Sequence, residues 1–290
     1  MSRARFLMAL VLGLLTVCAA QSSEQERVSL SSFQGNLVFD FVQPVIPKMY
    51  KVTYEYRPDP GFFFLFEKQF FSYCRSVKVL KDLASHRVED EKRVEYNNGA
   101  AVLVLDKENG WIGFINGELL DKEEPEPDFK EAQNFIEQYG GGFDEEMIAE
   151  WWGVGNVYFR QQIDGVKVTG DIYQGIYIRL SPEGIISFRR HLARFTKEYE
   201  LPVSSILPPC AAIEKSIPDL ESMFQNAPQP VTVNECNMVY YMPSNLQKDN
   251  TLKPAWEFVY FINIDGVKNK IYKKRLVIDA CQGGVLEGGR

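Results

Sequence analysis

Apolar and polar residues alternate in short runs along most of this chain, and a few stretches show the three-to-four-residue recurrence of a helix. Residues 36–42 and 49–56 read as strands separated by Pro44 and Pro47. Phe66, Phe70, Tyr73, Val77, Leu80 and Ala84 then recur at steps of four and three, which predicts a helix with one face on a core; Phe62, Phe63 and Phe64 ahead of it suit a strand equally well. Strands resume at 92–96, 100–105 and 111–115, with Asn97-Asn98-Gly99 and Asn109-Gly110 as turns. The expectation is an N-terminal domain over 35–120 in which a helix packs on a meander, followed by an acidic, proline-bearing linker at 121–127.

Beyond that linker, Asp128 and Glu131 have the spacing of a capping box, Phe129, Ala132, Ile136 and Tyr139 form an apolar face, and Gly140 to Gly142 stop the helix. Asp144 is placed to cap a second short helix ending at Trp152. The stretch from Val157 to Arg190 predicts a meander of three strands. Asp164-Gly165 supplies its first turn and Ser181 to Gly184 its second, and Gly175 marks a bulge or a close backbone approach inside the middle strand carried by Ile172, Ile176, Ile178 and Leu180. Residues 205–227 read as two helical pieces, with Pro208 and Pro209 in a first turn and Pro218 at the break. Strands follow at 231–241 and 254–261, Asp265-Gly266 is a hairpin signal, and residues 276–286 close with a strand, a glycine turn and an apolar end. The expected fold is α+β, two domains with helices packed on antiparallel sheets, the C-terminal one over 128–290. The recurring order of helix and strands suits an internal duplication.

Two segments carry a family resemblance. QQIDGVKVTGDIY followed by SPEGIISF resembles the strand-turn-strand of the FTP and PepSY modules found in propeptides of thermolysin-type secreted proteases, and PAWEFVYFI with RLVIDACQGGVL resembles the PepSY ending. The same two-part pattern resembles the extracytoplasmic YycH/YycI-type regulators of a bacterial cell-wall sensor kinase. The likeness covers about Asp128 to Leu286 and implies the partner of an enzyme, not an enzyme.

The first residues set the compartment. Arg3 and Arg5 precede an apolar run from Phe6 to Val17 and the small residues Cys18, Ala19 and Ala20, the layout of a secretory signal peptide over 1–20. Leu15 to Cys18 also resembles a lipoprotein box, with Val17 where a small residue is usual, and a retained anchor is a third option. Residues 21–34 are polar and read as a flexible tether. The 290-residue chain is 45% hydrophobic and 13% aromatic, enough for packed cores. Its formal charge of -7 argues against nucleic acid and against electrostatic attachment to anionic lipid, leaving the membrane to an N-terminal anchor or a lipid on Cys18. Cys74, Cys210, Cys236 and Cys281 remain after the leader; they permit three complete disulfide pairings or serve as buried thiols, and no CxxC spacing occurs.

No constellation for chemistry stands out. His86 and His191 lie in no nucleophile signature, and no HExxH or GK[ST] motif occurs. Glu145, Glu146 and Glu150 beside Trp151 and Trp152 are the nearest thing to a glycosidase cluster, and helical spacing makes them solvated surface. Lys268, Lys270, Lys273, Lys274 and Arg275 form a basic stripe suited to blunting an edge strand or to docking an acidic partner. Trp151, Trp152, Arg160 and Trp256 are the candidate ligand or partner surface. No catalytic residue, metal or cofactor is expected. The function expected is binding and modulation of another extracytoplasmic protein, with carbohydrate or small-ligand binding as the alternative.

Overall fold

The computed structural model describes residues 27–33, 37–56, 59–122, 128–143, 147–151, 156–170, 174–225, 231–243, 250–263 and 271–288. The chain opens with β1 (Arg27–Phe33), β2 (Leu37–Val42) and β3 (Tyr50–Glu55). Part of the expected tether is therefore a strand. Arg27 to Leu30 pair antiparallel with Val42 to Phe39, because β2 is an apolar strand that otherwise presents an open edge, and Arg27 clamps Asp40 at 2.6 Å. Residues 21–26, like the leader, lie outside the described residues.

Helix α1 (Pro60–Ser76) begins earlier than its stripe suggests, and its cap explains why. Asp59 Oδ1 accepts from the N–H groups of Gly61 (2.9 Å) and Phe62 (3.2 Å), with Pro60 in the first turn. The triple phenylalanine run is thus helical, and Phe63, Phe66, Phe70 and Cys74 are buried. The apolar stripe outlasts the helix and continues through two short 3-10 turns that bury Leu80 and Leu83.

Strands β4 (Arg87–Glu89), β5 (Arg93–Asn97), β6 (Ala101–Asp106) and β7 (Trp111–Asn116) follow, then α2 (Phe129–Gln138). Asp128 Oδ1 accepts from Glu131 N at 2.9 Å. Asp128→Ala is expected to lower stability by about 1 kcal/mol, read as a shift in urea midpoint at unchanged slope.

Next come β8 (Met147–Trp151), β9 (Asn156–Ile163), β10 (Val166–Gly170), β11 (Gly175–Ser181) and β12 (Gly184–His191). The helix expected from Asp144 to Trp152 is instead the strand β8, paired antiparallel with β9 from Met147↔Gln161 to Trp151↔Val157. Helix-forming residues yield there because β9 offers a ladder and Met147 gains contact with a core. The meander also departs from expectation. Asp164 (φ 50°) and Gly165 (φ 79°) form the mirror-image turn, but β10 stays on β9 for only Val166 and Lys167 before leaving to run parallel to another strand. The chain then returns to β9 as β11. Gly175 (φ 103°) sits where a Cβ would lie 2.5 Å from the Phe159 carbonyl oxygen, the close approach its sequence context predicts.

The resulting antiparallel sheet has the order β4-β5-β6-β7-β12-β11-β9-β8. Its β7–β12 pairing, from Ser187↔Ile115 to Arg190↔Ile112, joins residues before and after the acidic stretch in one sheet; residues 123–127 lie outside the described ones. Helices α1 and α2 contribute to its core, where Phe66 stacks on Phe70 (5.3 Å) and Phe188 (6.0 Å) and Phe135 meets Phe188 edge-on.

A second body forms from β13 (Arg194–Glu200), α3 (Pro209–Lys215), α4 (Ile217–Phe224), β14 (Val231–Met242), β15 (Thr251–Asn263), β16 (Ile271–Asp279) and β17 (Val285–Gly288), together with β1, β2 and β3. Strands β14 to β17 are antiparallel in sequence order, β2 and β10 run parallel to β14, and β13 pairs with β3. The two helical pieces expected over 205–227 are α3 and α4, broken at the buried Ser216, whose hydroxyl donates to Ala212 O and accepts from Gly284 N. They cover a core in which Phe258 meets Phe39 (5.4 Å) and Phe41 (5.6 Å). The chain is thus a mixed α and β protein with extensive, mainly antiparallel sheet.

Candidate functional site

Along β15 the strand period sends Trp256, Phe258 and Tyr260 into the second core, so Glu257 and Phe261 face the other way. That other face meets the edge of the first sheet across a cleft of about 440 Å³. Ile148, Ala149 and Glu150 of β8 form one wall and Asn237, Met238 and Val239 of β14 the other; Lys167 and Glu257 line it between them, with Phe261 and Lys273.

The cleft is floored by a buried ion network. Lys167 Nζ bridges Glu150 Oε1 and Glu257 Oε2, the latter at 2.5 Å, and Arg160 Nε lies 3.6 Å from Glu150 Oε2. Arg160 Nη1 donates to Gln174 O at 2.6 Å, and Gln174 Nε2 donates to Gln161 Oε1, which also accepts from Ala193 N. Beneath the cleft Arg275 forks onto Glu287 (2.8 and 3.0 Å) and donates to Thr169 Oγ1 and Gly170 O. Glu150, Glu257, Lys167 and Arg160 thus pair with one another away from solvent, while Arg275 is paired with the half-buried Glu287. Glu257 is 1% exposed, Arg160 1% and Arg275 3%, so each charge depends on its partners. Burial pulls the Lys167 ammonium pKa down, but Glu257 and Glu150 outweigh it and hold it above the ordinary lysine value. Burial foremost, with Arg275 beside it, lowers that of Arg160, which stays charged as guanidinium does in proteins.

The cores and this network absorb most of the residues expected at a site. Trp256 is fully buried and donates through Nε1 to Leu207 O at 2.8 Å, so it is a core residue and not a surface one. Arg160 is likewise interior, over the Tyr158 ring. Trp151 ends β8 with its side chain outside the description, and Trp152, Glu145 and Glu146 lie outside the described residues. Glu150, expected as solvated surface, is instead buried in the network, because a strand and not a helix carries it. In the basic stripe, Lys273 reaches the cleft and Arg275 is buried on Glu287; Lys268 and Lys270 lie outside the described residues. His86 is exposed, and His191 stacks on Tyr56 (3.8 Å) with Nε2 3.2 Å from Asn109 O. The four cysteines are thiols. Cys74 belongs to the first core and the others to the second, so every complete pairing would have to join the two cores. Among the described residues no His, Cys, Asp and Glu group is arranged to hold a metal.

Sequence reasoning missed Lys167, Glu257 and Thr169, and read Arg275 as part of a surface stripe where the structure buries it. A signal was present: Glu257 is a lone charge inside the aromatic run PAWEFVYFI, and a charge there must be paired if its strand is covered on both faces.

A solved structure shares this fold. It is an uncharacterised protein from Eubacterium rectale, with TM-score 0.54 and 12% identity over 91% of this chain and 94% of that one. The chain also aligns with YycH from Bacillus subtilis at TM-score 0.40 and 14% identity, covering 86% of this chain and 56% of that one, too loosely to carry function across. No family model, PepSY or other, matches the sequence, and no curated protein matches it. Among the described residues no helix is long and apolar enough to cross a membrane.

Proposed function

We propose that this chain is a non-enzymatic, extracytoplasmic binding protein that docks on and modulates another envelope or secreted protein, such as a sensor kinase or a hydrolase. The observation that supports this reading is the chemistry of the cleft. Its buried carboxylates Glu150 and Glu257 are paired with Lys167, whose pKa is held above the ordinary lysine value, whereas general acid–base work needs a group poised near the working pH. Its walls are strand edges and apolar side chains, which suit a protein surface. The carbohydrate alternative rests on Trp151 and Trp152, whose side chains lie outside the described residues; Trp256, packed inside the core, offers it no stacking face. A leader at 1–20, as the sequence suggests, would put such a protein outside the cytoplasm, where its partner would be found.

The test is crosslinked affinity capture from the native envelope with the chain from Gln21 onward, followed by mass spectrometry. The expected result is one dominant protein, competed by excess unlabelled chain. Recovery of glycan or cell-wall fragments without a protein partner would overturn the reading.

A further inference from the structure

Both walls of the cleft are unfinished strands. β8 pairs with β9 and, among the described residues, with no other strand. β14 gives one edge to β15 over 233–241, but its opposite edge meets β2 only over 231–233 and β10 only over 240–242. Between those contacts, residues 234–239 have no ladder partner on that side among the described residues. The open edges border the same cleft, one through Ile148 to Glu150 and the other through Asn237 to Val239. An open edge is a row of N–H and C=O groups set at strand spacing, which another extended chain satisfies.

Side chains around the edges narrow the occupant. Ile148 is 40% and Phe261 41% exposed, apolar surface on two sides of the opening. The floor carboxylates already face Lys167 and Arg160, so the cleft offers them no cation to add. Lys273, in contrast, makes no ion pair among the described residues, and it lines the same cleft. A lining lysine without an ion-pair partner among the described residues calls for a carboxylate.

We propose that this cleft takes an extended segment of the partner protein as an added strand, apolar at alternate positions and carrying an acidic residue against Lys273. The proposal rests on the docking reading above. Backbone pairing along β8 or β14 supplies affinity, and Ile148, Phe261 and Lys273 supply selectivity.

Three fluorescein-labelled nine-residue peptides titrated against the chain from Gln21 onward, read by anisotropy, test it. One alternates valine and threonine around a central glutamate, the second has lysine at the centre, and the third is the first with alternate backbone amides N-methylated. The glutamate peptide is expected to bind, the lysine peptide roughly fivefold more weakly, and the N-methylated peptide not measurably. Lys273→Glu should reverse the first preference. Ile148→Asp with Phe261→Asp, both at exposed positions, should abolish binding with circular dichroism unchanged. Equal binding of all three peptides, or none, or indifference to these variants, overturns strand addition. Envelope capture that survives the double variant would also overturn it while leaving the docking reading intact; failure of the unaltered chain to capture any protein would overturn that reading itself.

Discussion

Lys167→Met is expected to destabilise the protein by about 3–5 kcal/mol, because it removes the ammonium that bridges Glu150 and Glu257 and leaves both carboxylates buried. Urea unfolding should register this as a lower midpoint. The combined variant Lys167→Met, Glu150→Gln, Glu257→Gln should recover much of the loss, since what the single change leaves behind is uncompensated charge and not missing volume. A single variant as stable as the triple one would mean that water reaches the network freely. The same pairing sets an alkaline limit. The folded-state value of Lys167 is raised above 10.5, so its contribution is complete below the unfolded value near 10.5 and is lost as pH rises through the raised one. Stability of the unaltered protein should fall over that alkaline window more steeply than that of the triple variant.

Trp256→Ala is the second large effect, expected to cost about 3–5 kcal/mol. The indole is wholly buried in the second core, and its removal leaves both a cavity and the Leu207 carbonyl without its donor. Thermal unfolding distinguishes this from a surface role. A partner-facing tryptophan would lower binding and leave the melting temperature where it was.

The contrast between Trp256 and Lys167 shows how far the sequence could be read. Strand alternation located β2, β3, β5, β6, β7 and β9, and the Asp164-Gly165 turn, because those signals are local: a side-chain period and a backbone that needs positive φ. Residues 147–151 and 166–170 were misread because their structure is decided by neighbours distant in sequence. β8 is a strand because β9 offers it an edge, and β10 leaves the meander because β14 lies parallel beside it. The site suffered most from this. Glu150, Lys167 and Glu257 are brought together by three different strands, and no spacing along the chain records that meeting. Trp256 was legible as an aromatic in a strand, but which face of that strand turns inward depends on α3 and α4, which cover it.

The most direct measurement of the central claim is hydrogen exchange on the chain from Gln21 onward, with and without its captured partner. Added strand pairing should slow exchange in 147–151 or 234–239, the two cleft-lining edges without a second strand among the described residues, while α1 and α2 stay unchanged. Unaltered exchange at both edges, with protection arising elsewhere or nowhere, would contradict it.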